Sequence, residues 1–592
     1  MNKVNLTING IQLEVPSTYT IMDAANVAGI ELPRLCFLKG INEIGACRLC
    51  VVEIEGFRTL KTSCNITVAE GMVVKTNTPR VQKAIVTNLK LIAGNHRFEC
   101  WKCPREDNCE LLRLLRMYNI ENDYQEDQTG TFEIKERIVN ESKAMVIDSS
   151  KCVLCGRCVS ACVYYTGLGI LNYNNRGSNT FVGPALNLPI ETAGCLYCGK
   201  CIQSCPVGAI KEQDGIEQAI SYVNNKEYYT VACIAPSVRA AMGEEFNYKF
   251  GKNVEGQIYA ALNKLGFDDI TDVNYAADVT IMEEGTELIH RIKKHLAGEE
   301  VALPMFTSCC PGWIRYAETY YPELMPNLST TKSPQQIQGA LIKHYYAKKI
   351  GVDPKQVKVV SIMPCIAKKF ECDRPEMEND GLRDIDCVLT TRELARWIKR
   401  NDIKFRDLAD YEPASPLAKY TGAGVIFGST GGVMEAALRT VKDIMEKGHE
   451  HQVDIKAVRG MKNIKEATMT INGIELTVAV VNGAKYIPEM VKRIKKNPGK
   501  YAFVEVMACT GGCINGGGQP IVPSYVAETI DIRQVRSKVL YTADKNSTFR
   551  KSHENSCVLE MYKEFLGEPY GELAHKLLHT TYTKRETYPI DD

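Results

Sequence analysis

The sequence has almost no net charge. Its 72 lysines and arginines stand against 71 aspartates and glutamates, so it offers no basic field to recruit nucleic acid or an anionic lipid surface. Docking of a small charged partner through a local patch stays open. Long apolar runs are also missing: nothing approaches the ~18 consecutive apolar residues that a membrane span needs. The opening residues, MNKVNLTINGIQLEV, alternate apolar and polar side chains and lack the continuous apolar segment of a secretory signal. A soluble, cytoplasmic chain is expected, with no nucleic-acid or membrane partner. Its 592 residues, 45% apolar and 24% charged, are ordinary globular composition and suffice for several domains and at least one large core.

Cysteine, by contrast, is abundant. There are 24, and disulfides account for them poorly, because disulfides belong to oxidising compartments whereas these residues recur in C-x2-C clusters. Nineteen of them, with one histidine, fall into five metal-ligand patterns. Zinc is the rival to iron, since paired C-x2-C also makes zinc sites; the count and a ferredoxin-like run favour iron with sulfide. Cys233, Cys372, Cys387 and Cys557 lie in no pattern and are expected to be small packing residues.

Residues 1–79 read as a β-rich domain. Two alternating runs flank Asn9-Gly10, a dipeptide that tolerates the positive φ angles of a type I′ hairpin turn. A helix is expected at about 20–28, stopped by Gly29. Cys36, Cys47, Cys50 and Cys64 follow, with Gly40 and Gly45 in a loop whose amides must approach sulfide. The spacing is related to the plant-type [2Fe-2S] pattern, with a longer first gap, and the segment resembles a β-grasp ferredoxin domain holding one [2Fe-2S] cluster. Residues 80–126 are helical in pattern and carry His96-x3-Cys100-x2-Cys103-x5-Cys109. Imidazole is a competent ligand for iron as for zinc. The arrangement resembles a [4Fe-4S] site with one histidine and three cysteine ligands, shared by hydrogenases and a subunit of respiratory NADH dehydrogenase. Residues 127–209 hold two bacterial ferredoxin runs, Cys152-x2-Cys155-x2-Cys158-x3-Cys162 and Cys195-x2-Cys198-x2-Cys201-x3-Cys205-Pro206. The fourth cysteine of such a run ligates the other cluster. That groups Cys205 with Cys152, Cys155 and Cys158, and Cys162 with Cys195, Cys198 and Cys201.

Residues 210–592 alternate strand and helix patterns with sparse cysteine. Val357–Met363, Asp386–Thr390 and Tyr501–Met507 read as short buried strands of an α/β domain, whose sites lie beyond the carboxyl ends of strands. Phe306 runs into Thr307-Ser308-Cys309-Cys310-Pro311-Gly312, Met363 into Pro364-Cys365, and Met507 into Ala508-Cys509-Thr510-Gly511-Gly512-Cys513. These three motifs resemble the catalytic cluster motifs of [FeFe]-hydrogenases, and the resemblance runs over essentially the whole chain, including Lys551-Ser552-His553-Glu554-Asn555. It implies an α+β multidomain fold ending in an H-cluster domain with a C-terminal small-subunit-like segment. Cys310, Cys365, Cys509 and Cys513 would hold the [4Fe-4S] half of the H-cluster. Cys513 would also bridge to a two-iron subcluster with CO, CN and a dithiolate bridge. Glycines around Cys513 would let backbone approach that unit.

Adjacent cysteines point in different directions, so Cys309 is left over beside Cys310. A thiol with an ordinary pKa of about 8.5 can pass protons near neutral pH, and the resemblance gives this residue the role of proton relay. By the same resemblance Lys368 holds a cyanide ligand, Met363 and Met507 line the pocket, and Ala235-Pro236-Ser237 packs against the two-iron unit. Lys369 is expected on another, solvated face. Glu284, Glu287 and Arg291 share one helical face. They read either as an exposed salt-bridged helix or, with Ser329, as the family's proton pathway. The expected enzyme is a ferredoxin hydrogenase that reversibly reduces protons to dihydrogen. It would use reduced ferredoxin or flavodoxin, one [2Fe-2S], three accessory [4Fe-4S] and an H-cluster, require hydrogenase maturation proteins, and act as a monomer. An electron-transfer subunit should lack the three catalytic motifs, and an iron–sulfur assembly protein should lack the N-terminal cluster domains.

Overall fold

The computed structural model describes residues 2–120, 137–446 and 453–587; residues 121–136, at the expected boundary of the second and third domains, lie outside the described residues. At the N-terminus the alternating runs form a hairpin, β1 (Lys3–Ile8) and β2 (Ile11–Pro16). Asn9 at φ 49° and Gly10 at φ 88° close it, as a type I′ turn requires. Helix α1 (Ile21–Val27) starts at a capping box in which Thr20 and Asp23 each accept from the other's backbone amide. Strands β3 (Val51–Ile54), β4 (Lys61–Thr62) and β5 (Met72–Lys75) complete a sheet of order β2-β1-β5-β3-β4, with β1 and β5 parallel. Leu6, Ile8, Val52 and Val74 pack with Ile21 and Met22 of α1. One sheet thus grasps one helix, and the segment between α1 and β3 is left to carry Cys36, Cys47 and Cys50.

Helix α2 (Pro79–Gly94) begins with proline at a position where no amide partner is lost. Val81, Ile85, Leu89 and Ala93 form its buried stripe, and its end delivers His96. Helix α3 (Glu110–Met117) takes Cys109 as N-cap. The ferredoxin-like unit contains β6 (Val139–Glu141), β7 (Met145–Asp148) and β8 (Ile210–Glu212), in the order β8-β7-β6. Helices α4 (Arg157–Thr166) and α5 (Lys200–Ser204) each follow a left-handed glycine. Strand β8 corrects the expected division at 209/210. Ile210 pairs with Ile147 and Glu212 with Met145, and Ile210 completes a core with Ile147 and Leu171. These residues close the ferredoxin sheet instead of opening the catalytic region.

The catalytic region is built on β9 (Tyr229–Ile234), β10 (Asp269–Asp272), β11 (Met305–Phe306), β12 (Val357–Met363), β13 (Cys387–Thr390), β14 (Ile464–Ile471), β15 (Ile474–Asn482) and β16 (Tyr501–Met507). They form two four-stranded sheets. One, β10-β9-β12-β13, is wholly parallel. The other, β11-β16-β15-β14, is parallel except for its final hairpin. Cys310 follows β11 and Cys509 follows β16 in one sheet, whereas Cys365 follows β12 in the other, so the loop cysteines meet where the carboxyl ends of two sheets converge. Helices α7 (Pro311–Tyr320) and α8 (Ala367–Glu371) start just beyond these loops.

Helix α6 (Val273–Leu296) follows β10 directly, with the Asp272 side chain as its cap. It is buried along most of its 24 residues, Glu283, Glu284 and Glu287 included, an uncommon place for carboxylates. Among the described residues no helix is long and apolar enough to cross a membrane.

Candidate active site

The cysteine groups follow one another through the molecule. Cys36, Cys50 and Cys64 are buried and Cys47 half-buried, and the Cys47 amide donates to Cys36 Sγ at 3.5 Å. His96 is buried, with Nδ1 2.9 Å from the Lys151 carbonyl. A carbonyl only accepts, so Nδ1 carries the proton and Nε2 the lone pair, the tautomer that suits a metal ligand. Burial holds the imidazole below its ordinary pKa and so favours that neutral form. Cys103 lies against Gly208, where a Cβ would fall 2.4 Å from its sulfur, so the histidine-containing group presses directly on the ferredoxin unit.

In that unit Cys152, Cys155, Cys158 and Cys205 line one cavity, and Cys162, Cys195, Cys198 and Cys201 line another. The crossed grouping expected from the two runs is therefore the spatial one. Among the described residues no three His, Cys, Asp or Glu side chains close to the spacing of a single metal ion. The eight ferredoxin cysteines instead stand around cavities, as multi-iron clusters require.

Cys310, Cys365, Cys509 and Cys513 border a further cavity of about 80 Å³, shared with Cys309, Lys368, Met363, Met507 and the Ala235-Pro236-Ser237 loop. The wall is mostly apolar. The Ala508 amide donates to Cys310 Sγ at 3.4 Å, and the buried Ser237 hydroxyl has no partner in the protein. Gly512, at φ 87°, could not be replaced, because a Cβ there would lie 2.7 Å from the Thr430 amide nitrogen. Lys368 donates to Ser333 Oγ at 2.7 Å, to Glu371 at 2.8 Å and to the Cys309 carbonyl at 3.2 Å. Desolvation works against its charge, but the Glu371 carboxylate holds its pKa above the ordinary lysine value. Four thiols, one fixed cation and an unpartnered hydroxyl around an apolar cavity fit an anionic iron–sulfur group with a polar-edged extension.

Lys369 is a correction. It is buried, not solvated, and is paired with Glu393 at 3.0 Å, because the helix face opposite Lys368 packs on β13 instead of facing water.

Glu284, Glu287 and Arg291 do share a face of α6, but that face is interior: Glu284 and Glu287 are each only 1% exposed. The exposed-helix alternative therefore fails. Glu287 accepts from Arg291 at 2.6 Å, from the Ser329 hydroxyl at 3.0 Å and from the Thr330 amide at 3.0 Å. Arg291 also donates to the carbonyls of Ala302, Pro326 and Leu328, which pins the outer end of the row. Glu284 Oε1 accepts from the Ser308 amide at 3.3 Å, and its buried Oε2 has no protein partner. Burial, then the neighbouring Glu287, pushes Glu284 up to about 8. Burial, then Glu284, likewise pushes the Cys309 thiol well above its ordinary value. That corrects the expectation of an unperturbed thiol, and Cys309 rests protonated. Sequence reasoning missed a side branch: His579 joins Thr330 Oγ1 (2.7 Å) to Glu283 (3.1 Å), which also accepts from the Tyr562 hydroxyl. No local pattern marks these residues.

Comparison with known proteins agrees with this geometry. The family described as "Iron only hydrogenase large subunit, C-terminal domain" matches residues 228–517, and "Iron hydrogenase small subunit" matches 530–585. A 2Fe-2S cluster binding domain matches 1–79, and 4Fe-4S binding domains match 145–162 and 188–211. The chain is 46% identical to iron hydrogenase 1 of Clostridium pasteurianum, covering 98% of this chain and 100% of that protein. It is 42% identical to the NADP-reducing hydrogenase subunit HndD of Solidesulfovibrio fructosivorans, covering 99% and 100%. Among solved structures, the apo [FeFe]-hydrogenase HydA1 of Chlamydomonas reinhardtii aligns with 63% of this chain and 100% of its own, at 38% identity and a TM-score of 0.56. Similarity of this extent, over accessory and catalytic parts alike, establishes that the chain belongs to the [FeFe]-hydrogenase family and is a hydrogenase.

Proposed function

We propose that the chain takes electrons from reduced ferredoxin or flavodoxin and combines them with protons in the cavity bordered by Cys310, Cys365, Cys509 and Cys513, in a reversible reaction. The observation that carries this reading is the buried row from Arg291 through Glu287, Ser329 and Glu284 to Cys309, which ends at the four-cysteine cavity. When bound, the H-cluster supplies the metal centre at which protons, electrons and dihydrogen interconvert.

The chain's own residues do the rest. Arg291 fixes Glu287 near the surface. Ser329 donates to Glu287 and lies near enough to Glu284 to act on its titration, so it stands between the two carboxyl groups. Glu284 exchanges a proton with the Cys309 thiol, which faces the cavity. Lys368, whose three N–H groups serve Ser333, Glu371 and the Cys309 carbonyl, would offer positive charge to an anionic ligand at the cavity wall, and Met363 and Met507 keep water from the wall.

Electrons would arrive through one [2Fe-2S] on Cys36, Cys47, Cys50 and Cys64, and through three [4Fe-4S]. The first of these would be on His96, Cys100, Cys103 and Cys109, and the other two on the crossed ferredoxin sets. Units spanning 1–79, 80–126, 127–212 and 213–592, assembly by hydrogenase maturation proteins, and action as a cytoplasmic monomer complete the proposal.

Full-length likeness to a subunit of an NADP-reducing hydrogenase supports a second reading of the electron partner, a companion subunit serving NADP. Infrared spectra of the matured protein test the main proposal. Bands of bound carbon monoxide and cyanide are expected, together with dihydrogen evolution from reduced ferredoxin. A fully iron-loaded protein without either would overturn it.

A further inference from the structure

Lys200 opens α5, between Cys198 and Cys201 of the second ferredoxin run. The residue is 3% exposed. Its ammonium donates to the Asn515 carbonyl at 2.6 Å and to Gln203 Oε1 at 2.7 Å, and lies 5.3 Å from the centre of the Tyr165 ring. No carboxylate pairs with it among the described residues. Four other buried lysines are treated differently, since Lys332, Lys343, Lys368 and Lys369 each hold a carboxylate at 2.7–3.0 Å, whereas Lys465 is bonded, among the described residues, only to Thr430 and Gly460. An unpaired buried ammonium is costly, and a negative charge facing it would offset that cost.

The adjoining cysteine groups are placed to supply it: Lys200 stands between Cys198 and Cys201, and its ammonium bonds the Asn515 carbonyl two residues beyond Cys513, while Arg533 and Arg536 line the same cavity. Both arginines have carboxylates of their own, Glu244 and Asp531. Cys198 belongs to the last ferredoxin group and Cys509 to the catalytic group, and here the two groups touch. Cys509 Sγ lies 4.0 Å from the Cys198 carbonyl, and a Cβ on Gly199 would fall 2.7 Å from Gly517 Cα.

We infer that Lys200 is the shared counter-charge of the last accessory [4Fe-4S] and the [4Fe-4S] half of the H-cluster, a positioning residue for electron transfer that makes one-electron reduction of either centre easier. This rests on the cluster assignment proposed above. One electron crosses from one centre to the other, no bond forms or breaks, and a low-potential one-electron reductant supplies the electron at the N-terminal end.

The test is a redox titration followed by electron paramagnetic resonance, with dithionite as reductant and the full chain produced without maturation proteins. All four kinds of [4Fe-4S] site are then read without relying on activity. In Lys200→Gln and Lys200→Met the reduced-to-oxidised ratio of these two centres, at fixed ambient potential, should fall at least tenfold, which is 59 mV for a one-electron couple. Lys200→Arg should restore it, and the [2Fe-2S] signal should not move. Unchanged ratios in the neutral variants would overturn the inference, as would loss of iron from both, which would make Lys200 only a latch between loops. Absence of [4Fe-4S] signals from the unaltered protein would sink the cluster assignment and not the role given to Lys200.

Discussion

Replacing Glu284 by glutamine keeps the shape of the row and removes its titrating group. The size of the effect follows from burial. At neutral pH a carboxylate with an ordinary pKa of 4.5 would need about 3.4 kcal/mol to take up a proton. With its pKa raised to about 8, Glu284 holds the proton at rest and needs only about 1.4 kcal/mol to release it. The difference of about 2 kcal/mol is roughly a thirtyfold gain in the less populated state, so both protonation states stay within reach of turnover.

Loss of a positioned acid–base group costs about 10²–10⁴ in rate, and Glu284→Gln should lower evolution and oxidation of dihydrogen together by that order. The pH profile adds a second mark. Proton reduction uses the protonated carboxyl and should fall as pH rises through about 8, whereas oxidation needs the carboxylate and should climb over the same interval. Both limbs should vanish in the variant. The sign for stability is opposite to that of a salt-bridged carboxylate. The unfolded chain releases this proton near 4.5 and the fold near 8, so Glu284 costs stability increasingly as pH rises across that window, and glutamine should flatten the loss. Rates with an artificial donor and acceptor, measured across pH, would be read beside iron content and infrared bands. Retained turnover with an unaltered limb near 8 and intact infrared bands would refute the reasoning.

Cys309→Ala should keep the iron, because Cys310 remains available as ligand, and slow turnover by about 10²–10⁴; a near-normal rate would remove this thiol from the relay. Cys309→Ser should recover little, its hydroxyl being a much weaker acid than a thiol. Metal analysis should find about 20 iron atoms per fully matured chain and about 18 without maturation proteins; stoichiometric zinc at any site would contradict that part of the assignment. A chain starting at 213, just past β8, should still evolve dihydrogen from a small artificial reductant while losing efficient ferredoxin coupling. Correct maturation with no activity toward the artificial donor would refute that division.

What could be read from sequence depended on how local each signal was. The Asn9-Gly10 hairpin, the crossed ferredoxin groups and the strands Val357–Met363 and Tyr501–Met507 were legible, because turn chemistry, ligand spacing and β-branched runs act within a few residues. The face shared by Glu284, Glu287 and Arg291 was legible for the same reason. Its burial was not, since that depends on Ser329, Thr330 and the chain's far end packing over it. Glu283 and His579 are 296 positions apart, and nothing local to either marks a partnership. Ile210–Glu212 was misplaced because its partner strand lies upstream, across both ferredoxin runs. Lys369 was misread because a single-helix argument sees two faces and not the strand packed against the second.

Most junctions between cluster groups share a device. A side chain from one unit clasps a backbone carbonyl at or beside a ligand cysteine of the next. Asn42 donates to the carbonyls of Cys36 (2.7 Å) and Cys155 (3.1 Å), joining the N-terminal loop to the ferredoxin unit. His96 reaches the Lys151 carbonyl, Arg105 the Cys205 carbonyl at 2.7 Å, and Lys200 the Asn515 carbonyl, two residues beyond Cys513. Apolar contacts accompany these bonds: Cys47, Cys109 and Cys152 border one core that includes Cys205, and Cys195 and Cys365 border the next. Apolar burial is non-directional, so it can join two units without fixing their register. A buried hydrogen bond to a carbonyl is directional, and leaving either partner unsatisfied costs about 1–3 kcal/mol, so slippage between units is penalised at the points where the cysteine groups adjoin. Under the proposed cluster assignment, a few polar side chains outside the ligand patterns would set the path for electrons, and substitutions there should uncouple intact clusters before they unfold any domain.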